Sequence, residues 1–202
     1  QGRSYSAGLL PKTLTVSGIT FKLGPTADGE KNALAAKGQK LAIPAGYNRV
    51  YVLAAATTDT TPTFQVGSKS MKVNVPAWDG YIGQWDTRLW AGVQPELAFS
   101  WHLPFIGLEP GYVKKAEVAW YASHRHLPGK GNGHYEYTYL FKHGFDVPKG
   151  ATSITLPNDP RVRVFAVSVA KGTTDAVVPA APLYDTLDDH RVEGAPRIVV
   201  PS

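Results

Sequence analysis

The thirteen residues 135–147 read Tyr-Glu-Tyr-Thr-Tyr-Leu-Phe-Lys-His-Gly-Phe-Asp-Val, and their alternation decides the fold class. The odd positions carry aromatic or apolar side chains and one histidine, whereas the even positions are mostly polar. Successive side chains of a β-strand point to opposite faces, so this period of two predicts a long strand with one aromatic face. Because aromatic stripes are usually buried, we expect this face to pack in a core rather than to form an exposed ligand platform.

Short runs rich in β-branched and aromatic residues recur on both sides of this stretch, between turns that contain Gly or Pro. The run 49–56 is apolar at almost every position, as in a central strand covered on both faces. The Ala-rich segment 28–37 is the one candidate helix, of a turn or two at most, or it is a loop. The further predicted strands are residues 13–16, 19–23, 39–43, 63–66, 71–75, 97–103, 113–122, 153–156 and 162–170.

Many short strands with almost no helix predict an all-β fold, because parallel α/β folds need crossover helices. We expect a single antiparallel β-sandwich of the jelly-roll type over residues 1–172. The chain turns Pro- and Asp-rich after Gly172, so residues 173–202 are expected to be an extended closing segment or a linker.

The composition excludes several classes of protein and of functional site. The chain has 202 residues, 43% hydrophobic and 18% charged, which favours a folded domain over disorder. It has no cysteine, so disulfides, thiolate metal sites and a cysteine nucleophile are excluded. The apolar run 50–56 is far shorter than the about 20 residues of a membrane-spanning helix, and no membrane association is expected. Gln1 does not begin a signal peptide, although a signal could have been removed or a larger protein trimmed.

The net charge of +5 invites a nucleic-acid interpretation, but the basic residues are dispersed. The densest pair is Lys114-Lys115, whereas a nucleic-acid footprint should be clustered. We therefore expect no nucleic-acid partner.

Two segments combine flat aromatic rings with planar polar groups, residues 78–90 and residues 120–137. Sugars present apolar C–H faces and a rim of hydroxyls, so a site for them pairs aromatic walls with forked hydrogen-bonding side chains. The predicted carbohydrate-binding residues are Trp78, Trp85, Asp86, Arg88, Trp90, Tyr121, His124, Arg125, His126 and Glu136.

Hairpin geometry brings part of this set together. If residues 113–122 pair with residues 135–147 across the intervening loop, residues 123–126 and 134–136 meet at one end of the sheet. The alternative is a hydrogen-bond network that closes a long hairpin and binds no ligand.

Metal sites are a further alternative. His124 and His126 with His134 or Glu136 would offer three zinc ligands, although the spacing matches no dedicated motif. A structural calcium ion could be held by oxygen ligands in two places, although neither has the EF-hand pattern. These oxygen ligands are Asp28, Glu30 and Asn32 in one segment and Asp185, Asp188 and Asp189 in the other.

Catalytic motifs are missing from the sequence. It contains no Gly-x-Ser-x-Gly elbow, P-loop, dinucleotide fingerprint or His-Glu-x-x-His. Asp86 and Glu136 could form a glycosidase pair only if the fold places them in one cleft. We therefore expect a protein that is not an enzyme.

The chain from about Leu10 to Ala170 resembles the non-catalytic β-sandwich region of bacterial family 38 α-mannosidase-type glycoside hydrolases. The similarity is carried by Gly-Tyr-Ile-Gly-Gln-Trp-Asp at residues 80–86, Trp-Tyr-Ala-Ser-His-Arg-His at 120–126 and Leu-Pro-Asn-Asp-Pro-Arg-Val-Arg-Val-Phe-Ala-Val at 156–167. This resemblance implies a galactose-binding-like jelly roll in a secreted or periplasmic bacterial protein. It also implies a covalently linked catalytic domain and no catalytic residue in this segment.

Three functional hypotheses follow. The first is a carbohydrate-binding module, accessory to a secreted glycoside hydrolase, that binds an oligo- or polysaccharide reversibly. The second is a structural accessory domain that packs on a catalytic domain without binding sugar. The third is a small polysaccharide hydrolase or lyase, which would need Glu136 or Asp86 beside His124 in a deep cleft.

Overall fold

A computed structural model describes residues 2–27, 29–83, 87–91, 105–109 and 113–172, and these residues form fourteen strands and no helix. None of the described residues forms a helix long and apolar enough to cross a membrane. The strands are β1 (Ser4–Tyr5), β2 (Thr13–Val16), β3 (Ile19–Lys22), β4 (Leu34–Ala35), β5 (Lys40–Ala42), β6 (Arg49–Ala56), β7 (Thr63–Val66), β8 (Lys69–Lys72), β9 (Thr87–Trp90), β10 (Phe105–Glu109), β11 (Glu117–Leu127), β12 (Gly131–Asp146), β13 (Ser153–Thr155) and β14 (Val162–Ala170).

Strand β6 lies inside a six-stranded sheet of order β1-β11-β12-β6-β14-β4. Its alternate residues enter two separate hydrophobic clusters, with Val50 and Val52 in one and Tyr51 and Leu53 in the other. Alternation along a strand sends these side chains to opposite faces, so both faces of the sheet are covered. The prediction of a central strand at residues 49–56 is confirmed.

Two further layers cover these faces. On one side a four-stranded sheet of order β5-β13-β7-β8 contributes Phe64 and Ile154 to the cluster that holds Val52. On the other side the β2–β3 hairpin contributes Phe21 to the cluster that holds Leu53. All strand pairs are antiparallel in the part of the chain that the structure describes, so the expected antiparallel β-sandwich is confirmed.

The aromatic stripe of β12 is buried along its inner part. Tyr139, Phe141 and Phe145 are buried, and the ring of Phe145 lies 5.1 Å from that of Phe64 between their centroids. The outer end differs, since Tyr135 is 80% exposed. Strand β12 pairs with β6 only from Phe141 onward, so its first residues extend beyond the neighbour that would bury them. The core interpretation is confirmed for the inner part of the stripe and is wrong for Tyr135.

The β11–β12 hairpin is longer than predicted. Strand β11 continues to Leu127 and β12 begins at Gly131, so residues 123–126 lie in a strand and not in a loop. They remain extended because β1 pairs with their outer edge while β12 pairs with their inner edge. A bulge interrupts β12 where residues 135–137 lie opposite a single residue of β11, and Tyr135 has a φ of 59° there. Bulges of this kind redirect side chains near sheet ends.

Other predicted boundaries also change. The segment 28–37 forms no helix over its described residues, since Leu34–Ala35 pairs with β14 as an edge strand. An isolated helix this short is marginal, and the sheet edge offers its backbone hydrogen-bond partners. Strand β8 begins at Lys69, because the preceding hairpin turns within two residues instead of four. The predicted strand at 97–103 and the closing segment at 173–202 lie outside the described residues.

Candidate functional site

The predicted site residues fall into three groups. Trp85 and Asp86 lie outside the described residues. Arg88 and Trp90 lie in β9, and the structure describes their pairing with β10 but not their side chains. The remaining six have described side chains, which are Trp78, Tyr121, His124, Arg125, His126 and Glu136.

Arg125 joins the two predicted segments directly. Its Nη1 lies 2.5 Å from Oδ2 of Asp79, next to Trp78, and its Nε lies 2.5 Å from Oε2 of Glu136 on the β12 bulge. Its side chain is only 11% exposed. The guanidinium is therefore held by two protein carboxylates, and this cluster ties the 78–80 segment to the hairpin as a structural clamp.

The backbone reinforces the same junction. The amide of Tyr139 donates to the carbonyl of Trp78 over 2.7 Å, and the amide of Gly80 donates to the carbonyl of Tyr137 over 3.1 Å. Gly133 pairs with Arg125 in the hairpin, and a Cβ added there would lie 2.5 Å from Oε2 of Glu136. A side chain at residue 133 would displace the carboxylate that holds Arg125.

The hairpin histidines do not assemble a metal centre among the described residues. His124 pairs with His134 in register, as the hairpin hypothesis requires, and the side chain of His134 lies outside what the structure describes. Nδ1 of His124 lies 3.3 Å from Oγ of Ser123. Within the described ranges no three histidine, aspartate or glutamate side chains come close enough to hold a metal ion. For the proposed calcium ligands, Asp28 and residues 185–189 lie outside the described residues.

Tyr5 of β1 is the centre of an aromatic cluster that the sequence did not reveal. Its ring centroid lies 5.0 Å from that of Trp78, 5.8 Å from that of Trp120 and 5.3 Å from that of Phe165, all edge-on. Its hydroxyl donates to the carbonyl of Tyr139 over 2.7 Å. Burial, with a smaller contribution from the charge of Asp79, raises the pKa of the Tyr5 phenol well above its usual value. The phenol is therefore neutral near pH 7 and remains a hydrogen-bond donor.

Lys114 closes the far side of this region. Its Nζ donates to the carbonyl of Ala77 over 2.9 Å and lies 5.6 Å from the ring centroid of Tyr139. Burial lowers the pKa of Lys114, and the charges of Asp59 and Asp79 oppose that shift. The ammonium group thus covers the ring of the residue whose carbonyl receives the Tyr5 hydrogen bond.

Two adjoining cavities flank β1, of about 320 and 260 Å³. Both are lined by Ser4, Tyr5, Asn32 and Phe165, so we treat them as one feature, the β1 cleft. Glu30 and His126 line the larger cavity, and we call it the Glu30 cavity. The smaller cavity is lined by Trp78 and by two arginines, Arg3 and Arg163, and we call it the arginine cavity.

The β1 cleft has the composition of a small-ligand site. Half-buried aromatic rings form its apolar walls, and a few planar polar groups surround them. Of the predicted site residues, Trp78 and His126 line this cleft, whereas Arg125 and Glu136 form the clamp beside it. Tyr121 is 65% exposed and lines neither cavity.

Several cleft residues were missed by sequence reasoning. Tyr5 lies in a strand of two residues and Arg3 directly precedes that strand, and so short a strand gives no periodic signal. Phe165 and Arg163 lie in the predicted strand 162–170. Alternation along this strand indicates which residues share a face of the sheet, but not which cavity that face lines. For Glu30 and Asn32 the sequence predicts a role only as calcium ligands. No local pattern could have joined these three segments.

Comparisons with known proteins bear on the fold of this site. A search of curated proteins finds no match. The family model described as AziU2-like beta-sandwich domain matches residues 1–173. This match supports the sandwich part of the resemblance described above and gives no support to an association with family 38 mannosidases. Since the match covers most of the sequence, the chain belongs to the AziU2-like β-sandwich domain family.

Proposed function

We propose that this protein is a carbohydrate-binding module that holds a glycan reversibly in the β1 cleft. The observation that carries the proposal is the pair of adjoining cavities, whose shared walls are the rings of Tyr5 and Phe165. Aromatic walls match the C–H faces of pyranose rings, and the side chains of Asn32 and His126 provide planar donors and acceptors for hydroxyl groups.

The affinity should be modest. Each of the two cavities is near the lower end of the volumes typical of small-ligand sites, and both are open to solvent. Few side chains would contact the ligand, so the interaction free energy would exceed the cost of association only slightly. This suits a module that tethers a larger protein to a polysaccharide.

We further propose that the role is binding rather than catalysis. The carboxylate of Glu136, the one described member of the suspected acid pair, is engaged by Nε of Arg125 at 2.5 Å. An accessory role beside a linked catalytic domain of a glycoside hydrolase, in a secreted or periplasmic protein, follows from the resemblance in sequence and belongs to the same proposal.

The test is a glycan array followed by titration of the best ligand against single variants. Asn32→Ala removes a polar group shared by both cavities and keeps the Cβ that packs beside Gly24. We expect it to weaken binding by about tenfold, the loss of one or two hydrogen bonds. Tyr121→Ala is the matched control, since this exposed residue lines neither cavity, and it should bind as the wild type does. Equal loss in both variants, or no glycan bound at all, would contradict the proposal.

A second candidate function is favoured by an exposed apolar surface. Tyr81, Ile82 and Val113 are all exposed, and the amide of Lys114 donates to the carbonyl of Ile82 over 2.8 Å, which brings these residues together. A structural accessory domain would cover such a surface with its catalytic neighbour. Tyr81→Ser with Val113→Ser should then release the domain from a parent protein during limited proteolysis, without changing glycan binding.

A further inference from the structure

The described arginine side chains fall into two groups, those that pair with a carboxylate and those that do not. The structure describes five arginine side chains, and three of them pair with carboxylates, namely Arg49, Arg125 and Arg161. The remaining two, Arg3 and Arg163, have no carboxylate partner among the described residues, and both line the arginine cavity. Guanidinium groups bind carboxylate and sulfate groups well, so two of them without a carboxylate partner on one cavity offer donors to an anionic ligand.

The geometry leaves donors available at this place. Arg163 is half-buried, and its Nη1 donates to the carbonyl of Pro160, which uses one of the five N–H groups of its guanidinium. Arg3 is exposed at the rim of the same cavity. The aromatic wall between them consists of Tyr5, Phe165 and Trp78, all uncharged, so the two arginines are the charged residues among the described residues that line this cavity. Asp79, whose charge reaches Tyr5, is outside this lining and is paired with Arg125.

The Glu30 cavity has the opposite character. Among the described residues, the side chains that line it include one carboxylate, Glu30, and one imidazole, His126, and no arginine or lysine. An anionic group would be repelled by Glu30, whereas neutral hydroxyls can both donate to the carboxylate and accept from other groups. The two ends of the β1 cleft therefore differ in charge, with two arginines at one end and a carboxylate at the other.

We propose that the glycan bound in the β1 cleft is anionic, with the sugar that enters the arginine cavity carrying a carboxylate or sulfate group and its neighbour in the Glu30 cavity being uncharged. This inference rests on the proposed function. It adds the chemical class and the orientation of the ligand, since each cavity accommodates one sugar ring and the charged ring faces Arg3 and Arg163.

The experiment measures binding of the full chain to an array of oligosaccharides. The array contains matched pairs, in which each uronate is compared with its carboxyl-reduced form and each sulfated sugar with its desulfated form. We expect the wild-type protein to prefer the charged member of its best pair by at least about tenfold, as loss of a charge-assisted hydrogen bond predicts. The two kinds of pair distinguish a carboxylate ligand from a sulfate ligand.

Two double variants then separate a site from general attraction by a basic protein. Arg3→Gln with Arg163→Gln should lower affinity for the charged sugar by about tenfold or more and leave affinity for its neutral form nearly unchanged. Lys40→Gln with Lys72→Gln removes the same charge from exposed positions on the four-stranded sheet, and should change affinity less than about twofold.

The outcomes are distinguishable. Binding of neutral sugars with no preference for charge overturns this inference and leaves the proposed function standing. Equal losses in the arginine and lysine variants also overturn it, because they indicate attraction without a site. No binding to any glycan overturns both proposals. The melting temperatures of the arginine and lysine double variants are measured side by side, to show that the arginine variant is folded.

Discussion

The buried histidine His143 should make the free energy of unfolding depend on pH. It lies in β12 opposite Val52, a fully buried residue of β6, and is itself buried. Among the described residues, no group hydrogen-bonds to its Nε2. Burial lowers the pKa of His143 from 6.5 to about 4, because the imidazolium would lose its hydration there without gaining a partner.

The sign of the effect follows from proton binding. Between pH 6.5 and about 4 the unfolded chain binds a proton at this histidine and the folded protein does not, so the free energy of unfolding falls as the pH falls through this window. A pKa unit corresponds to about 1.4 kcal/mol, which limits the total loss to about 3 kcal/mol. Between pH 7 and pH 5 we expect a loss of about 2 kcal/mol, a large fraction of the stability of a typical domain.

The assay is urea unfolding, followed by tryptophan fluorescence at pH 7, 6 and 5, for the wild type and for His143→Leu. Leucine has nearly the volume of histidine and does not titrate, so this variant should lose about 2 kcal/mol less than the wild type between pH 7 and pH 5. His126→Gln, a change at an exposed histidine of the same hairpin, should retain the wild-type dependence. Identical pH dependence in His143→Leu and the wild type would refute the reasoning.

Three further stability predictions concern the core between the sheets and the residues beside the cleft, each measured as a change in the free energy of unfolding. Phe64→Ala should cost about 3–5 kcal/mol, since this ring is fully buried against the main sheet. Arg125→Gln should cost about 2 kcal/mol by leaving two carboxylates together, and a second change, Asp79→Asn, should recover part of that loss. Tyr5→Phe should cost about 1 kcal/mol, the value of its hydrogen bond to the carbonyl of Tyr139.

Matched controls accompany these three. Phe64→Leu should cost clearly less than the alanine variant, because it leaves a smaller void. Arg161→Gln breaks an ion pair whose arginine is about half exposed, and should cost clearly less than Arg125→Gln because solvent screens the pair. Tyr135→Phe removes a hydroxyl from a largely exposed side chain and should change nothing measurable. Costs as large as those of the three test variants would contradict the burial argument.

Much of the fold was predictable from alternation and turn residues. The strands at 13–16, 49–56, 63–66 and 162–170 have the predicted bounds, because each is a short β-branched or apolar run between strong turn signals. The hairpin tip was not predictable in the same way. Residues 123–126 look like a polar loop, yet β1 pairs with them on one side and keeps them extended. That partner lies more than a hundred residues away in sequence, and local patterns carry no information about it.

The candidate site was only partly predictable. The sequence placed Trp78 and His126 in a binding surface, and the structure puts both on the β1 cleft. It also marked Arg125 as a ligand-binding residue, but the fold surrounds this arginine with Asp79 and Glu136. Residue type indicates what a side chain can do, whereas the residues that fold back onto it determine whether that capacity is already used.

The sequence by itself therefore determined the class of architecture, the central position of β6 and the aromatic character of the core, because these depend on patterns within single strands. The tertiary structure decided where a ligand could enter and which charges remain available to it. Arg3 and Arg163 are unremarkable in the sequence, and they become a pair only because the residue that precedes β1 lines the same cavity as β14. The physical reason is that alternation specifies the face of a strand, while a site is formed by strands whose pairing depends on the packing of the whole sandwich.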